Sequence, residues 1–140
     1  MASVKQVQSK VQSILTTELG SVRVAADNEI KITYESTLVT VAVEDYGNNE
    51  TIVVLTAIVT SETKETPALY KYLNDTNAGL RFGSLQYLPG KTSFLILQYS
   101  ILGDFLDPEE LLNALRVVVL VADKLDDEIV GKFGGKRFID

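Results

Sequence analysis

The chain contains no cysteine and no histidine among its 140 residues. Without thiol or imidazole it cannot build a Ser/His/Asp triad, a Cys/His pair, a histidine general base or the usual zinc site, and disulfides are excluded outright. Most hydrolase mechanisms thereby lose their base. Long hydrophobic runs are missing too: the stretch from Val117 to Ala122 falls far short of the ~20 residues that a membrane span needs. The opening residues, MASVKQVQSKVQ, carry no apolar signal region, so a cytoplasmic protein is expected. Positive charge is also scarce. Thirteen Lys and Arg stand against nineteen Asp and Glu, and the net charge of −6 disfavours nonspecific binding to phosphate backbones or anionic lipid. Neither nucleic acid nor membrane is expected as a partner. The length suits one domain over residues 1–140, able to bury a core without covalent staples.

What is present is periodicity. Ser3 and Gln6 have capping-box spacing, and Val4, Val7, Val11, Ile14 and Leu15 then recur at helical intervals up to Gly20. Val22, Val24, Ile30, Ile32 and Tyr34 alternate with polar residues around a turn at Asp27 and Asn28. Leu38–Glu44 and Thr51–Thr60 follow as strands across the turn residues Gly47, Asn48 and Asn49. The second of these is apolar on both parities, which predicts an inner strand covered on both faces. Thr66 and Pro67 open a short helix that ends near Asn77 and Gly79. Leu80–Leu88 and Ser93–Leu102 then flank a Pro89-Gly90 pair suited to a type II turn. Last comes the longest periodic segment, from Asp107, with Asp107, Pro108 and Glu110 as start signals. At ~100° per residue, Leu111, Leu115, Val118, Ala122, Leu125 and Ile129 share a face, while Asn113, Arg116, Asp123, Lys124 and Asp127 lie opposite. The fold class is α+β: a mainly antiparallel sheet with helices, in the order α, three or four strands, α, two strands, α.

On that last helix Leu120 projects from the polar side, and Val117 and Val121 widen the apolar surface beyond the needs of one sheet. A second partner surface is the expectation. Asp123, Asp126, Asp127 and Glu128 form the densest carboxylate cluster, which could serve a hard cation or acid/base chemistry. Helical spacing spreads the four around the axis, so a solvated face is the better reading. Asp123 and Asp127, like charges at i,i+4, call for a cation or basic partner. Gly90-Lys91-Thr92 and Gly134-Gly135-Lys136 imitate phosphate loops. Leu85 and Val130 stand where the leading glycine should be, and neither segment opens a helix. The second reads as a helix C-terminal cap with Lys132, Lys136 and Arg137 near the negative dipole end. The aromatics Tyr70, Tyr72, Phe82, Tyr87, Phe94 and Tyr99 interleave with Lys71 and Arg81 and read as core and rim rather than a base-stacking platform.

From Leu69 onward the residues Leu73-Asn74 and Asn77, Arg81-Phe82-Gly83, Leu106-Asp107-Pro108-Glu109-Glu110-Leu111, Ala122-Asp123, Asp126-Asp127-Glu128 and Phe133-Gly134-Gly135-Lys136 carry a resemblance. Residues 69–138 look like the YbjN-like family, bacterial proteins described as sensory-transduction regulators and grouped by fold with type III secretion chaperones. The resemblance implies a secretion-chaperone-like fold with the same element order, and nonenzymatic, dimeric peptide binding on sheet edges and apolar patches. It transfers no catalytic residue. Structural roles suit the shared positions: Asn77 and Gly79 ending a helix, Arg81 pairing with a carboxylate of the last helix, Phe82 and Phe133 filling the core.

The resulting expectation is a cytoplasmic, nonenzymatic chaperone-like or regulatory adaptor, a homodimer that binds a polypeptide. Val117, Leu120, Val121, Lys136 and Arg137 are its candidate partner or dimer contacts. No catalytic, cofactor-binding or metal-binding residue is assigned. The alternative is a small-molecule or metal-responsive sensor or enzyme using Asp123, Asp126 and Asp127.

Overall fold

The computed structural model describes residues 3–139. Helix α1, Val4–Leu19, starts at a full capping box: the Gln6 amide donates to Ser3 Oγ at 3.1 Å and the Ser3 amide to Gln6 Oε1 at 2.8 Å. It buries Val7, Val11 and Leu15 and stops at Gly20. Four strands follow, β1 (Arg23–Val24), β2 (Ile30–Tyr34), β3 (Thr37–Gly47) and β4 (Glu50–Ser61). Asn48 and Asn49, both with positive φ, form the two-residue turn between β3 and β4 that matches strand twist. Helix α2, Pro67–Gly79, is capped by Thr66; then come β5 (Ser84–Leu88), β6 (Phe94–Leu102), helix α3 (Pro108–Phe133) and β7 (Lys136–Arg137). Asp107 caps α3 by accepting from the Glu110 amide at 2.8 Å.

All pairings are antiparallel, in the order β1-β2-β3-β4-β6-β5, with β7 beside β4 where β3 no longer reaches. The described residues form an α+β fold of three helices and a seven-stranded sheet. Val53, Leu55 and Ala57 of β4 meet Val7 and Val11 of α1, Leu69 and Leu73 of α2, and Leu111, Val118 and Ile129 of α3 in one buried cluster.

Several local expectations change. The other parity of β4, Ile52, Val54 and Ile58, aligns with Leu102, Ser100 and Ile96 of β6 on a face that no helix covers, so only one face of this inner strand is roofed. Pro89-Gly90 is no type II turn: Gly90 sits at φ +158, and the connection runs on to Ser93, whose carbonyl accepts from the Glu62 amide. Phe82 is exposed and stacks obliquely on Tyr99 with ring centroids 5.5 Å apart, instead of filling the core. Arg81, likewise exposed, makes no ion pair with α3 among the described residues. Phe133 does pack on the core and meets Tyr72 edge-on. Among the described residues no helix is long and apolar enough to cross a membrane.

Candidate functional site

One flank of α3, the end of α1 and the outer edge of the sheet enclose a cleft of about 660 Å³. Leu112, Leu115, Arg116, Val119 and Leu120 form the helix wall, Leu19, Ser21 and Val22 close one end, and Arg23 with Lys31–Tyr34 supplies the strand wall. These helix positions follow from the 3.6-residue period: they fill a continuous arc from the buried face, at Leu115, round to Leu120 on the far side. Leu120 is 54% exposed and Leu19 47%, so the cleft is lined with apolar surface that the fold itself leaves open. Val117 and Val121 lie outside it. Both are half-buried, and Val121 packs on the core cluster, so part of the apolar excess on α3 is consumed internally.

The strand wall has a second property. β1 covers β2 only at Ile30 and Lys31, so the outer side of Ile32, Thr33 and Tyr34 has no strand partner among the described residues. The opposite sheet edge is closed only in part, at Leu85. There the side chain of Asn77 acts as a short substitute strand, donating to the Leu85 carbonyl at 3.0 Å and accepting from the Leu85 amide at 2.7 Å. Asn77 therefore covers the β5 edge at Leu85, a role beyond ending α2.

The acidic cluster is not a solvated face throughout. Asp126 is buried at 1% exposure, with Ser36 Oγ donating to its carboxylate at 2.5 Å. Burial pushes its carboxyl above the usual range, the Ser36 hydrogen bond opposes this, and the nearby Asp127 and Asp123 charges add to the rise. The helical wheel held the signal, because three turns separate Asp126 from Leu115 and set it beside the buried Val119. The spread of the four acids around the axis hid it.

Asp127 pairs with Arg137, and Glu128 accepts from Tyr72 Oη at 2.9 Å and lies 3.4 Å from Lys132 Nζ. The basic partner expected for the acidic stripe is thus the chain's own tail. That tail is more than a helix cap. Gly134 does end α3, its amide reaching Val130 O at 3.0 Å, but Lys136 and Arg137 then pair as β7 with Ser61 and Thr60, and Lys136 Nζ lies 3.0 Å from Glu62. A Cβ on Gly135 would come within 2.7 Å of the Ser61 carbonyl, which is why the turn into β7 needs glycine. Glu35, at φ +49, and Ser36 form the β2–β3 turn, and the Ile139 amide donates to the Ser36 carbonyl at 3.3 Å. Asp123, Asp126 and Asp127 are answered by Ser36 and Arg137, and among the described residues no three acidic side chains converge as metal ligands.

The fold is shared with solved structures. The crystal structure of the ExsC–ExsE complex superposes with a TM-score of 0.68 at 19% identity, covering 87% of this chain and 95% of that one. The Yersinia pestis type III secretion chaperone SycH, in complex with a stable fragment of YscM2, gives 0.60 at 17% identity, over 84% and 98% of the two chains. No curated protein matches the sequence. The family model described as T3SS (YopN, CesT) and YbjN peptide-binding chaperone 1 matches residues 5–140, and the chain belongs to that family.

Proposed function

We propose that this protein is a cytoplasmic, nonenzymatic peptide-binding chaperone or regulatory adaptor, that residues 1–140 act as one domain, and that two copies form a homodimer. The observation that carries the reading is the open edge of β2 beside the Leu120 cleft. Backbone groups at Ile32–Tyr34 offer hydrogen bonds to any extended chain, and a chain lying there presents every second side chain to the cleft. The edge supplies affinity and the cleft supplies selection. That both structural neighbours were solved in complex with another polypeptide supports this use of the fold.

The second copy is assigned to the other end of the sheet. Tyr70, Phe82 and Leu88 are each more than 40% exposed around β5, and Leu88 aligns with Phe94 on the helix-free face. With Leu85 of the β5 edge already served by Asn77, the proposed contact there uses side chains rather than strand addition.

Peptide capture is tested by amide hydrogen exchange in the presence of a library of short extended peptides. Bound peptide should slow exchange at Ile32–Tyr34, and Leu120→Glu should weaken capture by about tenfold, the scale of one well-packed apolar contact. Capture that neither protects those amides nor responds to Leu120→Glu overturns the assignment.

A further inference from the structure

We infer that the end of the sheet at the β3–β4 turn docks a second protein, one that offers an apolar socket framed by Lys and Arg. Single exposed apolar side chains are ordinary, whereas a cluster of the most exposed ones is not. Among the described residues the three most exposed large hydrophobics are Phe105 at 92%, Tyr46 at 60% and Leu102 at 58%. Strand register gathers them around Thr51. Asp45, next to Tyr46, pairs with Thr51, Leu102 pairs with Ile52, and the turn that bears Phe105 is bonded to Thr51 itself. None of the three lines the Leu120 cleft, and none belongs to the surface around β5.

The turn that displays Phe105 is firmly held. The Gly103 amide donates to the Thr51 carbonyl at 2.9 Å, and the Asp104 carboxylate accepts from the Thr51 amide at 3.0 Å and from its hydroxyl at 2.6 Å. A Cβ on Gly103 would strike Thr51 Oγ1 and come within 3.0 Å of Val7 Cγ1, so the turn lies flush against β4 and α1. Leu106, on the other side of Phe105, is buried. Backbone fixed on both sides presents the ring at little ordering cost, as an interface anchor requires.

Charge selects the partner. Residues 44–51 and 102–110 contain no Lys or Arg, and Glu44, Asp45, Glu50, Asp107, Glu109 and Glu110 are all exposed there. Lys5 opposes them from the first turn of α1, whose Val4 and Gln6 share a groove with Asp45 and Glu50. The N-termini of α1 and α3 each add about half a positive unit. Six full negative charges outweigh these. The same carboxylates repel an anionic lipid surface and attract a basic protein surface.

A chemical socket tests the surface. β-Cyclodextrin takes up exposed phenyl rings, and its amino derivative edges that apolar ring with ammonium groups. In low-salt calorimetry on the full-length protein the amino form should bind about tenfold more tightly than the neutral form, the worth of two or three exposed ion pairs. The gap should close as salt is raised. Phe105→Ala should weaken the amino form about tenfold and leave the urea midpoint unchanged, because the exposed ring holds no core together. Glu44→Lys with Asp45→Lys should remove only the preference, and Leu120→Glu should change neither. Equal binding of the two forms, or binding untouched by Phe105→Ala, overturns the surface. The protein partner is tested in the cells that make this chain, by photo-crosslinking from Phe105→p-benzoylphenylalanine. The adduct should join another protein through a peptide that carries Lys or Arg, and Glu44→Lys with Asp45→Lys should abolish it. An adduct indifferent to those charges, an adduct with a second copy of this chain or with lipid, or no adduct overturns the inference.

Discussion

Asp126 places a carboxylate on the buried side of α3 beside Val119 and Ala122, and the Ser36 hydroxyl is its direct hydrogen-bond donor. Its pKa is raised by burial, and the charges that bear on it are Asp127, itself paired with Arg137, and Asp123. The sign of its pH effect follows. Folded Asp126 keeps its proton above the ordinary value of 3.8, so in the window from there up to the raised pKa the native state binds more protons than the unfolded chain. Its contribution to stability falls as pH rises through that window and stays reduced above it. Asp126→Asn keeps the size and the capacity to bond Ser36 while removing the titration. Urea unfolding across acidic to neutral pH should show the variant gaining on the wild type as pH rises. Asp75 and Glu128, whose pKa values are lowered, impose the opposite slope on both proteins and cancel in the difference. A difference independent of pH would show that burial of this carboxyl carries no proton linkage.

At the level of elements, the helices were legible because a 3.6-residue period and cap chemistry are local: Ser3, Thr66 and Asp107 each cap the helix that the sequence assigns to them. The strand order was not, since placing β6 between β4 and β5 depends on distant pairing. Two-residue β7 has no period to read, and its cations look like a free basic tail until Glu62 and Asp127 are seen to answer them. The two sheet edges show the same limit. Ile32–Tyr34 and Ser84–Leu88 both read as alternating strands, yet only the second has an outward amide and carbonyl served, at Leu85, by a side chain eight residues upstream in sequence. Asn77→Ala should therefore do to β5 what the fold already does to β2. Leaving the Leu85 amide and carbonyl unpaired costs about 1–3 kcal/mol, measurable by urea unfolding, and light scattering should show edge-to-edge association. Unchanged stability would mean that water serves that edge as well as Asn77 does.

For the whole molecule, separating the two proposed interaction surfaces gives a strong test, because they lie at opposite ends of one sheet. The proposed peptide surface uses an open backbone edge and a cleft; the proposed dimer surface uses the exposed Tyr70, Phe82 and Leu88 around β5. On the proposed reading, the arrangement suits a chaperone that accepts a peptide at one end and its own copy at the other. Backbone recognition tolerates sequence variation, whereas a two-fold contact needs a self-complementary set of side chains. Sedimentation equilibrium should report twice the 15.4 kDa chain for the wild type. Phe82→Asp with Leu88→Lys alters residues that are about 40% exposed, with circular dichroism confirming that the variant folds. It should raise the dimer dissociation constant at least about tenfold, the effect of removing anchors worth above 1 kcal/mol. Per-chain peptide binding should persist in that variant, while Leu120→Glu should show the reverse pattern, a dimer that no longer captures peptide. A wild type that stays monomeric at high concentration rejects the homodimer. A dimer indifferent to the β5 substitutions but broken by Leu120→Glu would move the two-fold contact to α3 and make the cleft the place where two copies meet.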